Sequence, residues 1–223
     1  MRASALFKAG GLITALLLYS ILCHVVLAVH PTAFLAAGLA IGPLMLVGMG
    51  CLLSSWRNRT SRSGSIKGLI VLASVVLIGL VWLYWTQIST HAHWVYLLQH
   101  LLTNALLGAI FAFSLTGGRL AVVTRLALKV HGSLPESMER YTRQVTIAWV
   151  IFFIGVCVVS LLLFFGSTLE VWSFFANILA FPLVALMFLA EYQIRRILHP
   201  TFEHVSIFAG IKAFWQSSPI NKP

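Results

Sequence analysis

The chain has 223 residues, of which 60% are hydrophobic and 9% charged, and it carries a formal net charge of +10. A soluble domain carries roughly 25% charged residues, so this chain has too few polar side chains to cover a water-facing surface. The positive charge would suit nucleic acid, but its placement argues against that partner, because the 15 basic residues lie in short connectors between apolar runs rather than on one basic face.

Six apolar runs follow in chain order, at about 9–29, 33–54, 68–85, 94–113, 145–165 and 171–190. Each approaches the roughly 20 apolar residues that cross a bilayer as a helix. In lipid only a helix or a closed barrel satisfies every backbone group, and these runs lack the alternation of barrel strands. The expected fold class is all-α: a polytopic six-span transmembrane bundle over 1–200 and a cytoplasmic amphipathic tail over 201–223.

Arg2 and Lys8 precede the first run, which has the alternative reading of a cleaved signal peptide. His30-Pro31 is a turn without Lys or Arg, and Gly38 and Gly42 in the second run form a GxxxG pattern suited to close helix packing. The next connector holds Arg57, Arg59, Arg62 and Lys67, whereas 87–93 holds no Lys or Arg. Residues 116–144 hold Arg119, Arg125, Lys129, Arg140 and Arg143; 166–170 hold none; Arg195, Arg196, Lys212 and Lys222 follow the sixth run. With six spans all 15 basic residues fall on one side, which the positive-inside rule makes cytoplasmic. This predicts both termini inside and a bacterial inner-membrane location.

Trp82, Tyr84, Trp85, Trp94, Tyr96 and Trp172 gather at the predicted outer ends, and Trp56, Tyr141 and Trp149 near the inner ends, a pattern expected of interfacial aromatic belts. Residues 119–130 mix Arg119, Thr124, Arg125 and Lys129 with Leu, Val and Ala, and Phe202, Val205, Phe208, Ile211 and Trp215 recur at helical spacing. Both segments suit amphipathic helices on a leaflet rich in anionic lipid. Ser133, Pro135 and Glu136 read as N-cap, first turn and capping box of a helix running unbroken through Arg140 and Arg143 into the fifth span.

Polar residues within spans are candidates for function. Gln99, His100, Thr103 and Asn104 sit at spacings that pair Gln99 with Thr103 and His100 with Asn104. They read either as a polar lining or as interhelical hydrogen bonds that hold the bundle together. Asn177 and Pro182 mark a candidate local break in span six. Glu191 stands four residues before Arg195, the spacing of a helix-surface ion pair. The sharper reading joins Glu191, Arg195 and Arg196 with Arg140 and Arg143 in a cytoplasmic site for an anionic head group or acyl carboxylate, which arginine forks match.

Cys23, Cys51 and Cys157 read as free buried thiols, and Cys23 with His24 supplies only two ligands, which do not close a metal site. The chain has no P-loop, GxSxG or HExxH motif and no Asp, so no catalytic residue, metal or cofactor is expected.

Several stretches resemble a known family: His93-Trp94 through Gln99-His100; 132–146 with Arg140-Tyr141-Thr142-Arg143-Gln144-Val145-Thr146; Trp149 with Phe152-Phe153; and Trp172-Ser173-Phe174-Phe175-Ala176-Asn177 through Pro182-Leu183 to Ala190-Glu191-Tyr192 and Arg195-Arg196. They look like an uncharacterised family of small proteobacterial membrane proteins encoded beside fatty-acid-synthase-like and acyltransferase enzymes of the aryl polyene or xanthomonadin type. The resemblance covers about the C-terminal 130 residues and implies a genomic setting, not a mechanism. The expected function is a non-catalytic accessory or scaffold of an envelope lipid or aryl-polyene-type pathway. Its expected partners are membrane lipids and an acyl carrier protein or acyl-processing enzymes, since a basic surface suits an acidic carrier. The alternatives are a homo-oligomeric small transporter or lipid flippase, and a membrane acyltransferase with His100 as base.

Overall fold

A computed structural model describes residues 2–29, 34–42, 50 and 64–199. The His30-Pro31 turn, Cys51, the connector bearing Arg57, Arg59 and Arg62, and the expected amphipathic tail over 202–215 lie outside the described residues. Those residues are helical almost throughout: α1 (Arg2–Val29), α2 (34–42), α3 (Gly64–Leu83), α4 (Trp85–Thr90), α5 (Ala92–Ser114), α6 (Val122–His131), α7 (Glu136–Gly166), α8 (Leu169–Phe174), a π-helical turn (Phe175–Leu179) and α9 (Ala180–Leu198). Among them, three helical stretches are long and apolar enough to cross a membrane: α5, α7 and the stretch Leu169–Leu198. All three coincide with expected spans.

The stretch 87–93, read from sequence as a connector, is helical. Only Tyr84 and His91 interrupt the run from α3 to α5, and backbone bonds continue across both, with the Ile88 N–H donating to Tyr84 O at 2.9 Å and the Trp94 N–H to His91 O at 3.0 Å. Helix α7 does run unbroken from its charged first turns into the apolar segment, for 31 residues. Its start differs from the capping box expected at Ser133. The helix opens at Glu136, and the N–H groups of Met138 and Glu139 both donate to Pro135 O, at 2.9 and 3.0 Å. Proline disfavours helical geometry in the residue before it, so Leu134 cannot serve as the first helical residue that a Ser133 cap would need.

The chain divides into two compact units, Met1–Gln99 with Leu163–Leu179, and His100–Leu162 with Ala180–Pro223. In the first, α1 packs on α8 and the π turn. Cys23, Leu27 and Trp172 are fully buried there, and Phe164 meets Trp172 edge to face at 5.1 Å. Helix α2 buries Ala36, Ala37 and Ala40. An added Cβ at Gly38 or Gly42 would meet no described atom within 4 Å, so the expected glycine seam is replaced by an alanine one.

In the second unit the core is one stripe of α7, made of Met138, Tyr141, Val145, Trp149 and Phe153, packed against Phe111, Val123, Val184 and Met187. Tyr141, Trp149, Tyr96 and Trp172 are therefore core side chains, not the belt residues they resembled. Trp82, Tyr84 and Trp94 remain exposed, as a belt requires. The outward stripe of α5 (Leu98, Leu102, Leu106, Ile110 and Phe113) is about half exposed or more, a face suited to lipid rather than water.

The amphipathic helix expected over 119–130 is present as α6, and hydroxyls from other elements fasten it. Its N-cap, Ala121, has no side-chain acceptor. Instead the Val122 N–H donates to Ser114 Oγ at 3.1 Å and the Val123 N–H to Thr146 Oγ1 at 3.3 Å, while Thr124 and Thr142 share a hydrogen bond of 2.8 Å between their hydroxyls. The helix closes on Gly132, whose φ of +77° suits glycine and whose N–H donates to Leu128 O at 2.8 Å.

Replacing Thr142 and Thr146 by Val keeps the volume but strands the Thr124 hydroxyl and the Val123 N–H. Each stranded group costs about 1–3 kcal/mol. Amide exchange should accelerate across 122–131 while the apolar length of α7 stays protected; unchanged protection of α6 would show that hydroxyl fastening does not hold it.

Candidate functional site

A largely buried polar contact in the second unit forms where α7 begins and α9 ends. Glu191 and Arg195 fall on one face of α9 by their spacing of four, and Arg195 Nε lies 3.2 Å from Glu191 Oε1, with the two side chains only 15% and 16% exposed. From α7, the Tyr141 hydroxyl points at Glu191 and has its backbone oxygen at 3.2 Å and Oε1 at 3.4 Å as acceptors. The His199 ring meets Tyr141 edge to face at 5.1 Å, and the Arg195 guanidinium lies 5.8 Å from the Tyr192 ring centroid. The arrangement is a largely buried cluster built around one carboxyl group and one guanidinium. Arg195 turns its Nε, rather than the two terminal nitrogens of its fork, toward Glu191.

Two of the remaining arginines expected in this site are engaged elsewhere. Arg140 pairs with Glu136 one turn earlier on α7, with both side chains about three-quarters exposed, and a pair so exposed contributes little to stability. Arg143 is exposed and donates to Leu115 O at 2.8 Å, just past the end of α5. Arg196 is exposed. Of the five residues, the structure brings only Glu191 and Arg195 into contact.

The polar group on α5 does not form a single strip. Gln99 Nε2 donates across to Ala40 O of α2 at 2.6 Å, the interhelical bond of the structural reading. Asn104 Nδ2 donates to His100 O of its own helix at 2.8 Å, and Thr103 is exposed. Asn104 is the polar member of an otherwise apolar groove of about 380 Å³ between α5 and α7, bordered by Gly108, Ala112, Phe153 and Cys157. Along the groove Gly108 lets α5 come close to α7, since an added Cβ there would stand 3.3 Å from Phe153 Cβ.

Asn177 sits within the π turn, and its Nδ2 donates to Ser173 O at 3.0 Å. Pro182 follows three residues after the turn ends. With no N–H, it leaves the Ile178 carbonyl without its usual helical partner. The break expected from Asn177 and Pro182 is thus a π turn, a form often found at functional positions.

Sequence reasoning missed three contacts. Tyr141 was read as a belt residue, yet it is the link between α7 and Glu191. His24 was weighed beside Cys23, but its Nδ1 lies 2.7 Å from the fully buried Ser173 hydroxyl, whose Oγ is also 3.1 Å from Glu170 O. Cys23 instead accepts from the Tyr96 hydroxyl at 3.7 Å. The one available signal was spacing, since Tyr141 falls on the same α7 stripe as Val145, Trp149 and Phe153. Among the described residues no group of three or more His, Cys, Asp or Glu could hold a metal ion.

Glu191→Ala strands Arg195 in a largely buried position, and breaking such a pair costs about 3–5 kcal/mol. Thermal unfolding in mild detergent should show that loss, and Glu191→Leu with Arg195→Met should restore most of it. A loss below about 1 kcal/mol, the scale of a surface pair, would show that water solvates the ion pair.

No protein-family model matches this chain, and no match was found among curated proteins or among solved structures.

Proposed function

We propose that this chain is a six-span, multi-pass protein of a bacterial inner membrane with both termini in the cytoplasm. In this reading it is a non-catalytic accessory of an envelope lipid or aryl-polyene-type pathway, holding an acidic acyl carrier protein or acyl-processing enzyme at the inner leaflet. The observation that carries the reading is the continuity of α7. Arg140 and Arg143 stand on its first turns, and the same helix continues into the apolar segment, so their charges are held rigidly at the end of a membrane helix. A basic surface steers and orients an acidic partner. The distribution of all 15 basic residues across alternate connectors supports the topology. The family resemblance supports the pathway.

A second reading, a small transporter or flippase, is favoured by the π turn at Phe175–Leu179, which contains Asn177. Irregular backbone within a span is characteristic of transport pathways.

Topology is checked by cysteine labelling in a background lacking Cys23, Cys51 and Cys157. Cysteines at Thr90 and Ser167 should react with an impermeant maleimide on intact cells, and those at Ser61 and Ser133 only after permeabilisation. Outside labelling at Ser61 would overturn the six-span arrangement. Function is checked by complementing a deletion strain and profiling its lipids and pigments. Arg140→Glu with Arg143→Glu should abolish complementation at normal membrane abundance, and Lys at both positions should be tolerated because steering needs charge more than a fork. His100→Ala and Asn104→Ala should each cost on the order of 1 kcal/mol of packing and leave complementation intact. The opposite pattern would move function to mid-membrane.

A further inference from the structure

The groove between α5 and α7 has a closed floor and an open mouth. Gly108 and Phe153 are buried and Cys157 is half-buried beside them, whereas Ala105 and Ala109 on one rim and Ile154 and Val158 on the other are exposed. Its origin is the spacing of small residues. At 3.6 residues per turn, Ala105, Gly108, Ala109 and Ala112 share one side of α5, next to the outward stripe of Leu102, Leu106 and Ile110. The groove therefore runs between two ridges of larger apolar side chains. Asn104, its polar lining residue, turns its amide nitrogen back to His100 O at 2.8 Å, so the surface on offer is hydrocarbon.

The dimensions decide what can lie there. From Val150 to Leu161 the lining covers about 16 Å of α7 at 1.5 Å per residue. One leaflet's half of a roughly 30 Å hydrocarbon core is close to that length. On α5 the lining extends from Asn104, near the middle of the helix, to Ala112, two residues before its end at Ser114. A volume of about 380 Å³ over such a length leaves a cross-section of roughly 24 Å², whereas a helix about 10 Å across needs roughly 80 Å². A second helix is too wide for it, and a single extended hydrocarbon chain is not. Left empty, the groove would forfeit dispersion contacts along its whole lining.

We propose that the groove is a binding site for one acyl chain of a membrane phospholipid, held apart from the fluid boundary lipid by the shape of the α5–α7 seam. Both helices are long and apolar enough to cross a membrane, so the mouth along Ala105 and Ala109 admits the chain sideways from the bilayer. A lipid that keeps its head group has to enter in that way. Lipid is as apolar as leucine, so no hydrophobic gain drives binding. Retention rests on the dispersion contacts that a floor and two walls make and a single helix face does not. The site asks nothing of Arg140 and Arg143, and it goes beyond the partner-docking reading.

The test uses the full chain in vesicles of phosphatidylcholine, a share of which carries a photoreactive diazirine midway along one chain. Mass spectrometry locates the labelled residues. Label should collect on Ile154 and Val158 about fivefold more than on Leu102, Leu106 and Ile110, which make fewer contacts with passing lipid. Ala105→Leu with Ala109→Leu fills the groove from its open side, away from the contact of Gly108 with Phe153. That variant should bring Ile154 and Val158 down to the level of the stripe, whereas Leu102→Ala with Leu106→Ala should leave their excess in place. The comparison within the native chain holds even where a variant does not fold. Equal labelling of groove and stripe in the native chain overturns the proposal. It is overturned too if Ala109→Cys forms a disulfide between two copies while the groove stays unlabelled, because the groove would then be an interface. Label from a free diazirine fatty acid but not from the phospholipid overturns it as well, since the site would then take an unesterified chain. Each of these leaves the complementation result for Arg140 and Arg143 standing.

Discussion

A backbone in hydrocarbon has no water to bond with, so its N–H and C=O groups must find partners within the chain. That constraint explains the helices, and also the behaviour of the polar side chains wherever a helix is interrupted. Within the π turn, Asn177 bonds the Ser173 carbonyl. At the start of α6 the first two N–H groups find hydroxyls contributed by Ser114 and Thr146. Past the end of α5, Arg143 takes the Leu115 carbonyl. Much of the chain's polarity is spent where helical bonding stops.

The same constraint changes how packing works. Lipid is as apolar as leucine, so burial of leucine contributes little to holding spans together. The stripe of α7 accordingly relies on shape and on aromatic contacts, with Trp149 4.9 Å from Phe188 and Phe111 5.6 Å from Phe153. Small residues let backbones approach, as Gly108 does at Phe153 and the alanines do in α2. Polar links then fix orientation: Gln99 to Ala40, His24 to Ser173, and Tyr141 to Glu191.

This division sets what the sequence made legible. Long apolar runs announce helices because hydrocarbon permits little else, and α5, α7 and Leu169–Leu198 follow the expected spans to within a few residues except where α7 and the last stretch extend into charged turns. The amphipathic α6 and the break near Pro182 were also readable, from charge spacing and from proline chemistry. The inward face of each helix was not. Tyr141 and Trp149 have the composition of a belt, and only their neighbours on α7 place them in the core. Likewise the spacing of Glu191 and Arg195 announced an ion pair but not its burial, which depends on Tyr141 fifty positions away. Arg140 and Arg143 resemble Arg195 and Arg196 in sequence, yet each already has its own partner.

The few acids sharpen the point. The chain has five acidic residues against 15 basic ones, and the acids of the described residues are committed locally. Glu136 and Glu139 stand in the first turn of α7 and Glu170 in the first turn of α8, where the helix dipole favours negative charge. Glu136 is also paired with Arg140, and Glu191 with Arg195. None of these lies on the stretch from α5 to the turn before α7 that bears Arg119, Arg125 and Lys129. No Asp or Glu occurs between 92 and 135, so the acids of the described residues serve helix starts and the one buried ion pair, while hydroxyl bonds hold the helix that bears Arg125 and Lys129.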